Sequence, residues 1–222
     1  MKLRPVLFFT FVLLSGLACG TKPGLENTDS GSADSGDTDT DTDTDTDTAA
    51  TSSYTIGANP TSTGSATNGV VFGNVFFTQR AGKLESFEFH HIDQADGCSL
   101  DFHLLKRTDE PVDGGQTWWI DEAHFLDVSL GTEFTNSGPI GIDLDLYTWY
   151  ATAVHVRDCE SDGAIAYPTQ TDTKGPIDVG VGEAIGYLRG EKQVESTGSF
   201  SGLGYKTQYS SPYKTTLHIS GL

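Results

Sequence analysis

From residue 70 onward the chain alternates between apolar and polar positions with a period of two. Residues 70–78 (Val-Val-Phe-Gly-Asn-Val-Phe-Phe-Thr) are β-branched and aromatic, which predicts a strand with a glycine at a bulge. Residues 84–92 place Phe87, Phe89 and His91 on one face and Glu88 and His90 on the other. Residues 98–104 put Cys98, Leu100, Phe102 and Leu104 on one side, alternating with polar residues. Two consecutive period-two runs separated by a glycine-containing turn predict a hairpin. Residues 117–120 and 124–130 read as two short strands or one broken strand. Asn136-Ser137-Gly138-Pro139 is a turn. Ile140, Ile142, Leu144 and Leu146 then alternate with Gly141, Asp143 and Asp145, followed by a strand over 149–157. Residues 177–188 carry three glycines and make a weak strand. Segments 199–205 and 215–219 complete about nine short β runs, with no helical period of useful length. An all-β chain with frequent glycine and proline implies a sandwich or a barrel. Odd length and long loops favour an open antiparallel sandwich over a closed barrel.

The amino-terminal pattern is different. Lys2 and Arg4 precede a 14-residue apolar run from Pro5 to Ala18. A bilayer-spanning helix needs about 20 apolar residues, so this run reads as a signal peptide, and no later stretch approaches that length. It ends in Leu17-Ala18-Cys19-Gly20, which resembles the lipobox of bacterial lipoproteins. That resemblance implies cleavage before Cys19, lipidation of Cys19 and a membrane partner reached through the lipid. Gly16 stands where the family more often has leucine. Gly20 stands where members retained in the inner membrane often carry aspartate, so the implied location is the outer membrane or cell surface. One acyl chain anchors only marginally, and the family's several chains would hold the protein stably.

Residues 19–53 have almost no apolar content, and residues 37–48 are six perfect Asp-Thr units. Such a tract cannot bury enough apolar area to offset its ordering entropy, and its alternate aspartates repel one another. It reads as an extended spacer between the signal peptide (1–18) and a folded domain (54–222). Calcium binding by the repeat lacks the glycine turn and mixed ligands of known loops.

The formal charge of −18 is only partly due to the repeat, and a domain of that sign repels phosphate backbones, which argues against a nucleic-acid partner. With Cys19 committed to lipid, Cys98 and Cys159 are an even pair. In an oxidising compartment this favours a disulfide over two buried thiols or a metal site. There is no Cys-x-x-Cys spacing, no Gly-x-Ser-x-Gly, no zinc helix and no phosphate loop.

The order of runs Leu84-Glu-Ser-Phe-Glu-Phe, Leu100-Asp-Phe-His-Leu-Leu and 142–156, with Leu146 leading into Tyr150-Ala151, Val154 and Val156, resembles the jelly-roll, galactose-binding-like accessory modules of exported bacterial proteins. The resemblance covers most of residues 70–219 and implies a binding module, often for carbohydrate. Trp118 and Trp119 are adjacent, so a strand would send one into the core and one outward, where an indole can stack on a sugar ring. Tyr205 and Tyr209 are further ligand candidates from loops, with Tyr167 and Tyr213 beside them. The competing reading leaves all of these as core or rim residues. Asp158, Glu160 and Asp162 crowd one loop and are the candidates for a structural Ca2+; no other cofactor is expected. Among the histidines, His90 and His91 face opposite sides, and His103 is expected to neighbour one of them across the hairpin. The leading expectation is a surface-tethered, non-catalytic β-sandwich lipoprotein acting as a carbohydrate-binding or adhesion module. The alternatives are a secreted polysaccharide hydrolase, which needs two carboxylates facing across a cleft, and a purely structural envelope protein.

Overall fold

The computed structural model describes residues 50–92, 98–160, 163–170, 175–191, 193–195, 198–207 and 213–222. The expected signal peptide, Cys19 and the Asp-Thr repeat lie outside these residues, as do Tyr209 and Asp162. No helix occurs among the described residues, which form fifteen strands. In chain order these are β1 (Ser52–Ile56), β2 (Ser62–Thr67), β3 (Val70–Thr78), β4 (Gly82–His90), β5 (Ser99–Arg107), β6 (Gln116–Ser129), β7 (Phe134–Asn136) and β8 (Ile142–Leu144). They continue with β9 (Trp149–Arg157), β10 (Ala164–Thr169), β11 (Ile177–Asp178), β12 (Gly182–Glu191), β13 (Gln193–Glu195), β14 (Ser199–Lys206) and β15 (Thr215–Ser220).

The protein is an antiparallel β-sandwich. Its smaller sheet runs β1-β15-β4-β7, with β8 also paired to β4. Its larger sheet runs β11-β12-β3-β9-β5-β6-β14-β13, and a separate ribbon pairs β2 with β10. Alternation builds the core between the sheets. Phe72 and Phe76 of β3, Leu100, Phe102 and Leu104 of β5, and Tyr150, Val154 and Val156 of β9 pack with Leu84, Phe87, Phe89, Leu217 and Ile219 of the smaller sheet.

The larger sheet is not open. Strand β12 pairs with β3 along its length and also with β14 through Tyr187↔Lys206, Leu188↔Tyr205 and Arg189↔Gly204. With β14 on β6, β6 on β5, β5 on β9 and β9 on β3, the pairing closes a six-stranded ring. The positions that alternate with the sandwich core therefore face a second core. Val71, Val75, Leu105, Trp119, Trp149, Ala151, Ala153, Leu188, Phe200, Leu203 and Tyr205 fill it. A six-stranded barrel is narrow, so its strands carry small residues where backbones approach. A Cβ at Gly73 would lie 2.2 Å from the Thr152 carbonyl oxygen, which explains this glycine by close contact rather than by a bulge.

Three further expectations change. Strands β4 and β5 do not form a hairpin, because β4 joins the smaller sheet and β5 the larger. Residues 116–129 are one long strand, kept continuous by register shifts opposite Leu100/Phe102 and Leu104/Leu105. The glycine-rich 177–188 region supplies β11 and most of β12, the strand that closes the barrel.

Cys98 and Cys159 form a disulfide with a Cα separation of 3.9 Å. They flank β5 and β9, neighbours in register at Ser99↔Arg157, so the bridge staples one end of that ladder and borders the sandwich core. Asn68 holds the same end, donating from Nδ2 to the Cys159 carbonyl and accepting the Cys159 N–H at Oδ1, both at 2.9 Å.

Candidate functional site

Three polar side chains of β5 and β9, those of Asp101, His103 and His155, lie on the barrel face of their strands rather than in solvent. Asp101 and His103 are two apart on β5 and share the face of Leu105, and His155 is the direct cross-strand partner of Asp101. Asp101 is 0 % and His103 2 % exposed, and His155 is also buried. One ligand atom from each of these three lies within 4.8 Å of the other two.

The carboxylate of Asp101 has many partners. Its Oδ2 is 3.1 Å from His155 Nδ1 and accepts from Arg157 Nη1 at 3.3 Å, and its Oδ1 accepts the Asp127 N–H at 2.9 Å. Burying a carboxylate is costly unless it is paired and hydrogen-bonded, and these contacts supply both. Asp121, opposite Leu105 on β6, is shared by two imidazoles, with Oδ2 at 3.1 Å from both His103 Nδ1 and His124 Nδ1. The other ring nitrogen of His103, Nε2, is buried with no hydrogen-bond partner. The ring itself packs edge-on against Phe200 at 4.7 Å. His103, Asp121, His124, Leu126 and Phe200 line a cavity of about 180 Å3 beside this cluster. The neighbours expected for His103 are thus replaced, because β4 lies in the other sheet: it meets His124 and the Asp101–His155 pair instead.

A second cavity, of about 270 Å3, lies between the β2–β10 ribbon and the barrel. It is lined by Tyr167, Tyr187, Tyr213 and Arg189, with the hydroxyl-bearing Ser62, Thr63 and Thr169. Arg189 donates from Nη1 to the Tyr167 hydroxyl at 3.0 Å and from Nη2 to the Ser65 carbonyl at 3.1 Å. Burial pushes the hydroxyl pKa of Tyr167 and Tyr213 upward, so both remain neutral donors and acceptors. Tyr167 and Tyr213 come from β10 and the segment before β15 rather than from exposed loops.

The sequence-based ligand candidates separate. Trp118 is 50 % exposed on β6, with Ile120 beyond it on the same face. Trp119 points into the barrel and is fully buried, its Nε1–H donating to Thr117 Oγ1 at 2.7 Å. Tyr205 is also buried in the barrel. Neither Trp119 nor Tyr205 can meet a ligand at the surface, because closure of the larger sheet covers the face on which both lie. In the proposed calcium loop, Asp158 Oδ2 accepts from Ser99 Oγ at 3.2 Å and lies 3.9 Å from Arg157 Nε. The carbonyl of Glu160 accepts the Gly163 N–H.

On this all-β sandwich, hydroxyl groups and Arg189 line the cavity beside the β2–β10 ribbon, and two imidazoles line the one beside Asp121. No protein-family model matches the chain, and no curated protein matches it.

Proposed function

We propose that this chain is a lipid-anchored envelope protein whose β-sandwich is a non-catalytic glycan-binding module, held off the outer membrane or cell surface by the Asp-Thr tract. The anchor reading rests on the apolar run ending at Cys19 and on the low-complexity acidic spacer that follows it. The observation that carries the binding reading is the cavity walled by Tyr167, Tyr187, Tyr213 and Arg189. Aromatic faces take the apolar face of a sugar ring, while guanidinium and hydroxyl donors and acceptors fix its hydroxyl groups. A hydrolase reading has less support. Asp101 and Asp121 are each engaged by basic or imidazole partners rather than standing opposite one another across a cleft.

The test is a glycan array probed with the soluble mature chain. Binding to a defined set of glycans is expected, and Arg189→Ala and Tyr187→Ala should each weaken it by at least tenfold. Binding that survives both variants but disappears in Trp118→Ala would move the site to β6. No binding at all would leave the purely structural role, and release of new reducing ends would favour the hydrolase.

A further inference from the structure

We propose that Asp101, His103 and His155 form a site for one divalent transition-metal ion inside the end of the barrel. The backbone brings the three together. Asp101 and His103 share a face of β5 by alternation, and His155 stands opposite Asp101 across the β5–β9 ladder. The convergence of one ligand atom from each within 4.8 Å therefore follows from register.

His103 gives the independent evidence. Its Nδ1 is 3.1 Å from the Asp121 carboxylate. An imidazole that donates from Nδ1 to a carboxylate keeps its lone pair on Nε2, and this pairing is how proteins orient histidine ligands toward a metal. The Nε2 atom is buried without a hydrogen-bond partner, and the ring is 2 % exposed. A lone pair held in place by a neighbouring carboxylate and given nothing to accept is what a metal ligand looks like before the metal arrives. His103 also lines the cavity that it shares with Asp121 and His124, which offers room beside the ligand cluster.

The donor set selects the ion. Two imidazoles and one carboxylate suit zinc, copper, nickel or iron, whereas calcium and magnesium prefer all-oxygen ligands. Three protein ligands leave at least one coordination position to water. Arg157, whose side chain is 41 % exposed, neutralises Asp101 in the metal-free arrangement and can turn toward solvent when the ion supplies that charge.

The experiment strips the soluble full-length mature chain with a chelator and titrates Zn2+ calorimetrically against a competing chelator. One ion per chain is expected, not displaced by excess Ca2+. His103→Gln and His155→Gln should each weaken binding at least 100-fold, with near-ultraviolet circular dichroism confirming that the metal-free variants fold. Asp121→Asn, which touches the ion only through His103, should weaken it about 10–100-fold. If either histidine variant fails to fold, Co2+ added to the unmodified chain decides. Visible ligand-field bands of a low-coordinate site with imidazole donors support the assignment, and the spectrum of aqueous Co2+ overturns it. The proposal also fails if no saturable 1:1 uptake occurs. It fails equally if uptake is weak, involves several ions and is unchanged in His103→Gln, which would put the ions on the Asp-Thr repeat.

Discussion

His90 links a single side chain to the stability of the smaller sheet. It closes β4, with Nε2 3.1 Å from Thr216 Oγ1 on β15. Burial is the main cause of its lowered pKa, and Lys214 and His91 act in the same direction against Glu88 and Glu133. The unfolded chain therefore takes up this proton before the folded one does. Above about pH 6.5, the ordinary imidazole value, neither state is protonated and His90 contributes nothing to pH dependence. As the pH falls below that value the unfolded state is favoured, until the folded imidazole also titrates at its lower pKa and the loss levels off. His90→Gln keeps a hydrogen-bonding group beside Thr216 and removes the titration. Urea unfolding across pH 4–8 should show the two proteins diverging only below about 6.5, with the variant losing less stability; parallel curves would contradict this. The residue scale is also where the sequence could be read only in part. The adjacency of Trp118 and Trp119 required one to point in and one out, and they do. The positions of Asp101 and His103 were legible as the polar side of an alternating strand. Their burial was not, because alternation records which residues share a face and carries no information about what covers it.

At the scale of elements, strand spans were read more easily than strand partners. The expected strands over 70–78 and 149–157 coincide with β3 and β9. The β4–β5 hairpin failed because a period of two is the same whichever strand lies alongside. The disulfide belongs to this scale, since it staples β5 to β9 at their Ser99↔Arg157 end. It closes a loop with a sequence separation of 61 residues. The loop-entropy estimate for that length is about 4 kcal/mol, an upper figure because native strain and residual denatured structure reduce it. Cys98→Ser and Cys159→Ser should each destabilise the protein by a few kcal/mol in denaturant titrations. The double variant should be no worse than either single one, because each substitution already breaks the same bond. A double variant clearly less stable than both would mean that the cysteines contribute mainly through separate packing.

For the whole molecule, the larger sheet separates two cores, one facing the smaller sheet and one inside the six-stranded ring. The strands common to both, β3, β5 and β9, are buried on both faces over most of their length. That double burial isolates Asp101, His103 and His155 from bulk water. The anchor proposal also concerns the whole chain, because it sets where this domain is held. Cys19→Ala is expected to move the protein from the membrane fraction to the soluble fraction, or to leave the unprocessed precursor. A mature Cys19→Ala protein that still sediments with membranes after a salt wash would remove the lipid-anchor reading.

What the sequence determined by itself is local: the all-β class, the alternation that fills the sandwich core, most strand spans, and the pair of cysteines suited to a disulfide. These depend on residues i and i+2, or on composition, and need no knowledge of the partner strand. The tertiary structure alone decided that β12 pairs on both edges and closes the larger sheet, and that β4 and β5 part into different sheets. It also decided that three polar side chains, two of them 54 positions apart at Asp101 and His155, meet in one buried cluster. Pairing and closure are set by contacts between distant segments that become favourable only when all the strands are in place. No window of the sequence contains that information, and the two cavities with their proposed ligands depend on it.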